Sequence, residues 1–130
     1  MDESKTYKVL LVDDDKFLVT MYANKFKTKN IEVTGANSGE DALGKLREGF
    51  VPDIILLDII MPGMDGIEIL EAMKKENLAP KAVYIMLTNQ GDSPQIEKAR
   101  ELGVHGYIVK ATTIPSQVVD EVIGIAKKHI

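Results

Sequence analysis

Three consecutive aspartates, Asp13-Asp14-Asp15, follow the run Val-Leu-Leu-Val at 9–12, and a further aspartate, Asp58, follows Ile-Ile-Leu-Leu at 54–57. Thr88 closes a third apolar run and Lys110 closes a fourth. Carboxylates converging in a partly dry site repel one another strongly unless a cation neutralises them. With no cysteine in the chain and no histidine beside these residues, the donors are all oxygen. Such a set favours Mg²⁺, with Mn²⁺ as an alternative; Mg²⁺ takes one or two carboxylates, keeps several waters and accepts a phosphoryl oxygen. Asp14 and Asp58 are the expected direct ligands, with Asp13 nearby and able to reach the ion through water. With the metal in place an aspartate can attack a phosphoryl group and form an acyl phosphate. Phosphoryl transfer needs mainly positioning and charge neutralisation, and no general base. The ion on one phosphoryl oxygen, the Lys110 ammonium on another and the Thr88 hydroxyl on the third would supply both, with Asp58 as the nucleophile.

Taken singly, each residue has an ordinary explanation. An aspartate at a strand end is commonly a turn former or helix cap, and Asp15 is read as the N-cap of the first helix. Lys110 alone would be a solvated lysine, and Thr88 alone a strand residue. What sets the group apart is its placement, because ligands of open α/β sheets bind beyond the carboxyl ends of the strands.

The elements that must position these residues are legible as alternating runs. Lys8–Val12, Ile31–Thr34, Asp53–Leu57, Ala82–Leu87 and Gly106–Val109 are short and rich in Val, Ile and Leu, and most are too continuous to alternate sides. Strands covered on both faces of a parallel sheet have this character. Between them stand segments of helical period: Phe17, Met21, Tyr22 and Phe26; Ala42, Leu43 and Leu46; Ile67, Leu70 and Met73; Ile96, Ala99 and Leu102; and Val118, Val119, Val122, Ile123 and Ala126. Ser38 with Asp41 and Asp65 with Glu68 match helix-capping pairs, Pro94 and Pro115 suit first-turn positions, and Gly103 suits a helix end. Five strands alternating with five helices predict a doubly wound α/β sandwich with right-handed crossovers.

The chain of 130 residues, 45% hydrophobic and 28% charged, matches one ordinary globular domain, 1–130, with its core at about 7–128. A net charge of −4 opposes attraction to nucleic-acid phosphates. The lack of cysteine excludes a disulfide framework or thiolate metal site and suits the cytoplasm. The opening MDESKTYKVL lacks the pattern of a signal peptide, and apolar runs such as Ile54 to Leu57 are far too short to cross a bilayer, so no membrane partner is expected. His105 and His129 are read as surface histidines, and Lys127-Lys128 as complements to a helix dipole.

Four motifs give these runs a wider meaning: VLLVDDD at 9–15, PDIILLDIIMPGMDG at 52–66, IMLT at 85–88 and GYIVK at 106–110. Together they resemble the receiver domains of two-component response regulators, the family that includes the bacterial chemotaxis receiver, over nearly the whole chain. The resemblance implies a flavodoxin-like three-layer (βα)5 fold with a parallel five-stranded sheet of order 2-1-3-4-5. It implies that Asp13 and Asp14 are the acidic pair, Asp58 the phosphorylation site, Ile60 the donor of a backbone carbonyl to the metal, Thr88 the switch hydroxyl, Lys110 the phosphate-binding lysine and Tyr107 an aromatic rotamer switch. It further implies a sensor histidine kinase or phosphotransfer protein as phosphodonor, and no enzymatic activity beyond the chain's own phosphorylation and dephosphorylation. A downstream protein partner, or a second copy in a homodimer, would use the face of the fourth helix, fifth strand and fifth helix. In MPGMDG, Pro62, Gly63 and Gly66 are read as structural, with Asp65 as a cap.

Ala111 stands after Lys110 where that family usually has proline after a cis bond, so a trans Lys110–Ala111 peptide and an altered Ala111–Ile114 loop are expected. Asn89 follows Thr88 where the family commonly has a small residue. A flavodoxin-like cofactor carrier would need a Ser/Thr/Gly-rich loop where three aspartates stand. A haloacid-dehalogenase-like phosphatase could use Asp13 and Asp15, yet would need a later acidic pair where Thr88-Asn89-Gln90 stands. A third alternative is a receiver-shaped interaction module independent of phosphorylation.

Overall fold

Strand and helix alternate five times in the computed structural model, which describes residues 1–2, 4–89, 94–110 and 113–130. The strands are β1 Tyr7–Val12, β2 Ile31–Ala36, β3 Ile54–Asp58, β4 Val83–Thr88 and β5 Gly106–Val109. The helices are α1 Lys16–Lys27, α2 Gly39–Arg47, α3 Gly66–Lys75, α4 Pro94–Glu101 and α5 Pro115–Lys127. All strand pairs are parallel and the order is β2-β1-β3-β4-β5, the flavodoxin-like arrangement expected.

The continuity of the apolar runs has a plain cause. Leu10, Val12, Ile55 and Leu57 pack in a core with α2, α3 and α4, while their neighbours Val9, Leu11, Ile54 and Leu56 pack with α1 and α5 on the other side. Successive side chains point to opposite faces. With a helical layer on each face the central stretches of β1, β3 and β4 must be apolar on both sides, each large side chain contributing roughly 1.5–3 kcal/mol on full burial, while the edge strand β2 tolerates exposed Glu32. Tyr7 extends β1 by one residue, and Asp53 lies just before β3, where its carboxylate accepts the Lys8 N–H at 2.9 Å.

Helix ends follow the capping pairs. Asp15 accepts from the N–H groups of Phe17 and Leu18, Ser38 from Asp41, and Asp65 forms a reciprocal capping box with Glu68. Gly103, at φ +87°, ends α4 in the left-handed region that favours glycine. One expectation is corrected. Phe17, read as part of the buried stripe of α1, is 76% exposed, whereas Tyr22 and Phe26 are buried. Leu18, Tyr22 and Phe26 stand four residues apart on one face, and Phe17 falls about 100° round the helix from Leu18. His105 and His129 are exposed as expected, yet their rings meet at 4.5 Å. The Lys110–Ala111 peptide and the loop expectation for Ala111–Ile114 fall on Ala111 and Thr112, outside the described residues.

Candidate functional site

Parallel strands bring their carboxyl ends to one edge, and the register sets which residues meet there. Val12 pairs with Leu57, Asp58 with Leu87 and Thr88 with Val109. Asp13, Asp58 and Lys110 therefore emerge side by side at the floor of an open cleft of about 540 Å³, which Asp14, Asp15, Ile60 and Asn89 also line. Thr88, next to the lining residue Asn89, and Tyr107, which packs against the core beside α4, do not line this cleft. Thr88 is buried at the end of β4, and Tyr107 is half-buried on β5 with the Arg100 guanidinium 5.3 Å over its ring.

Lys110 Nζ donates to Asp13 Oδ2 at 2.9 Å and to Asp58 Oδ2 at 3.2 Å. Asp13 also accepts the Asp15 N–H at 2.9 Å, so both of its oxygens are engaged. Asp14 is exposed, and among the described residues its carboxylate has no protein partner. At the β5 end, Thr113 Oγ1 donates to the Val109 carbonyl at 2.7 Å.

Electrostatics follow from this crowding. Burial pushes the Asp58 carboxyl up to about 6; the Asp13 charge adds to the rise while Lys110 and a backbone hydrogen bond from Ile60 oppose it. For Lys110, burial works downward, but the bond to Asp13 and the charges of Asp58 and Asp13 outweigh it and hold the ammonium above its ordinary value. Three carboxylates against one ammonium leave two net negative charges when all are ionised, the charge of a divalent cation. One oxygen from each of Asp13, Asp14 and Asp58 lies within 4.8 Å of the others, so the three could hold a metal. Octahedral Mg²⁺, with bonds of about 2.0–2.1 Å, keeps ligand oxygens no more than about 4.2 Å apart. A set whose oxygens lie within 4.8 Å of one another is close to that reach.

The loop after Asp58 holds this arrangement against the strand. Gly63 takes φ +76°, and Gly66 donates its N–H to the Ile59 carbonyl at 2.8 Å. A methyl group on Gly66 would fall on the Asp58 carbonyl oxygen and within 2.9 Å of the Ile59 Cα. Neither backbone atom can yield cheaply. Gly66→Ala is expected to lower stability by about 2–3 kcal/mol, the upper range for overpacking, as read from urea unfolding. A loss below about 0.5 kcal/mol would show that the loop relaxes freely.

Sequence reasoning placed Tyr22 in the core only, yet it also lines the cleft, as do Leu18, Met21, Thr113 and Pro115. The signal was its hydroxyl, which a purely apolar stripe has no use for.

The comparisons agree with this geometry. The sequence model of the response regulator receiver domain matches residues 9–122. The chain is 32% identical over 128 residues to the transcriptional regulatory protein ResD of Bacillus subtilis (strain 168), covering 98% of this chain and 51% of ResD. It is 37% identical over 108 residues to the response regulator protein VraR of Staphylococcus saprophyticus, covering 82% of this chain and 50% of VraR. It thus spans about half the length of these curated relatives. Among solved structures, the chemotaxis protein CheY4 of Vibrio cholerae superimposes with a TM-score of 0.83 at 26% identity, over 93% of this chain and 99% of that one. With a family match over most of its length and an acidic cleft at the strand ends, the chain belongs to the response regulator receiver domain family.

Proposed function

We propose that the chain, as a single receiver domain, is a phosphorylation-dependent signalling switch in which Asp58 accepts a phosphoryl group from a phosphohistidine of a partner kinase or phosphotransfer protein. The observation that carries this is the pairing of buried Asp58 with Lys110 at 3.2 Å in a cleft where Asp13 and Asp14 complete a dication-sized acidic set. Asp13, Asp14, Asp58 and the Ile60 backbone carbonyl would hold Mg²⁺, which when bound neutralises charge on the transferring group. Lys110 and Thr88 would receive the remaining phosphoryl oxygens. A carboxylate oxygen of Asp58 attacks phosphorus, the phosphorus–nitrogen bond breaks, and the imidazole leaves.

The rim of the cleft suits a protein phosphodonor. Ile60, 65% exposed, lines the cleft, and Phe17 and Ile114, 76% and 59% exposed, are the chain neighbours of its lining residues Leu18 and Pro115. Exposed apolar groups around a charged cleft mark an interaction surface. Output would pass through Thr88 and Tyr107 to the face of α4, β5 and α5, where a downstream protein or a second copy docks. There the Arg100 guanidinium, itself paired with Glu97 at 2.6 Å, stacks on the Tyr107 ring and defines its resting position. Membership of a family whose named relatives include a transcriptional regulatory protein supports a cytoplasmic location. Among the described residues no helix is long and apolar enough to cross a membrane.

The test is incubation with acetyl phosphate and Mg²⁺, followed by mass spectrometry and amide shift mapping. One phosphoryl group on Asp58, with shifts spreading into α4, β5 and α5, is expected. No mass gain, or labelling at another residue, would overturn the reading.

A further inference from the structure

Tyr22 is 3% exposed as a residue, but its hydroxyl makes no protein hydrogen bond among the described residues and is the part of the side chain that solvent reaches. Its ring packs between β1 and α5 with Leu11, Val118 and Val119, and the side chain forms part of the cleft wall beside Asp13, Asp58 and Lys110. The acidic cleft is the polar space that the Tyr22 side chain lines, and a solvent-reached hydroxyl there is available to a cleft partner. Burial raises its ordinary ionisation range, so it is a neutral phenol; the charges it feels are those of Lys110, then Asp13, Asp58 and Asp15.

Lys110 has the matching need. Its ammonium offers three hydrogens, and two of them go to Asp13 and Asp58. A metal that engages those carboxylates, and a phosphoryl group on Asp58, would take both partners from it. The Lys110 side chain is only 12% exposed, so few water positions replace those partners. A phenol oxygen has two lone pairs to accept with and adds no charge. A carboxylate in the same place would compete with the phosphoryl oxygens.

We infer that Tyr22 is a positioning residue for Lys110: its phenol oxygen accepts a hydrogen bond from the ammonium once Asp13 and Asp58 are taken, and holds that charge at the phosphoryl oxygens. This rests on the reading of Asp58 as phosphoacceptor. Tyr22→Phe keeps the ring and its packing and removes one oxygen atom. It is expected to slow labelling of Asp58 by acetyl phosphate about tenfold, the scale of a hydrogen bond to a charged group. A second measurement reads Lys110 directly. With Mg²⁺ and beryllofluoride as a phosphoryl mimic, the Lys110 side-chain ammonium should give a slowly exchanging ¹⁵N signal in the wild type and lose it in Tyr22→Phe, an effect that a purely space-filling ring would not produce. Wild-type labelling with an unchanged rate or an unchanged ammonium signal in Tyr22→Phe overturns the role of Tyr22 and leaves the phosphoacceptor reading standing. Failure of the wild type to label overturns both.

Discussion

Asp58→Asn is expected to remain folded, to take no label from acetyl phosphate, and, without Mg²⁺ at pH 7.5, to be more stable than the wild type by about 1–2 kcal/mol. Labelling is lost because an amide nitrogen and carbonyl oxygen replace the nucleophile in nearly the same volume. The gain in stability comes from the carboxyl's own position. Asp58 is buried against Asp13, and its folded-state value of about 6 lies above the ordinary 3.8. Between those two values the folded chain holds a proton that the unfolded chain has released. Stability therefore falls as pH rises from about 4 to about 6, and the deficit persists above that window. A shift of about two units corresponds to about 3 kcal/mol with the attraction of Lys110 already included, and the expected gain is set below that to allow for burying the unpaired amide N–H in its place. Asn has no proton to lose, so the step across that window should shrink in Asp58→Asn. Urea unfolding of both proteins at pH 4, 5, 6 and 7.5 checks this. The idea is wrong if the stability advantage of Asp58→Asn over the wild type does not grow from pH 4 to 7.5. Saturating Mg²⁺ should reverse the order, raising the wild type by about 2.7 kcal/mol at one hundred times its Kd while barely affecting the variant.

The sequence carries more of the fold than of the site. The runs at Val9–Val12 and Ile54–Leu57 announce a sheet covered on both faces because no solvent-facing polar residue interrupts them, and parallel strands force Asp13, Asp58, Thr88 and Lys110 to one edge. Strand order came through the family resemblance, since composition cannot order five similar strands. Helical period does not fix phase where apolar residues are adjacent. Phe17 and Leu18 fit the same repeat, and only packing decides that Leu18 turns inward. Partners distant in sequence were equally hidden: His105 meets His129, and the Lys110 ammonium chooses Asp13 as well as Asp58. The sequence places Asp13 next to the metal ligands, and both of its oxygens are engaged by Lys110 and the Asp15 N–H, which leaves Asp14 as the carboxylate of the three with no protein partner among the described residues.

Asp14→Ala is accordingly expected to weaken Mg²⁺ binding more than any other change in the β1–α1 loop, at little cost to the fold. The side chain is exposed and makes no protein contact among the described residues that its loss would break. Removing it takes the site from three carboxylates against one ammonium to two against one, which should leave the metal-free protein as stable or slightly more so. The ion loses a ligand and a charge together. Two unit charges about 4 Å apart interact by about 4 kcal/mol at an effective dielectric of about 20, and a third of that is about tenfold in Kd. A loss of 10- to 100-fold is expected by calorimetric titration. Asp15→Ala separates coordination from net charge, because it removes the same charge from the same loop. Asp15 caps α1 through the Phe17 and Leu18 N–H groups, so its loss should cost about 1 kcal/mol of stability yet change Mg²⁺ affinity less than about threefold. Equal losses of affinity in the two variants would mean that Asp14 acts through the field of the loop and not as a ligand.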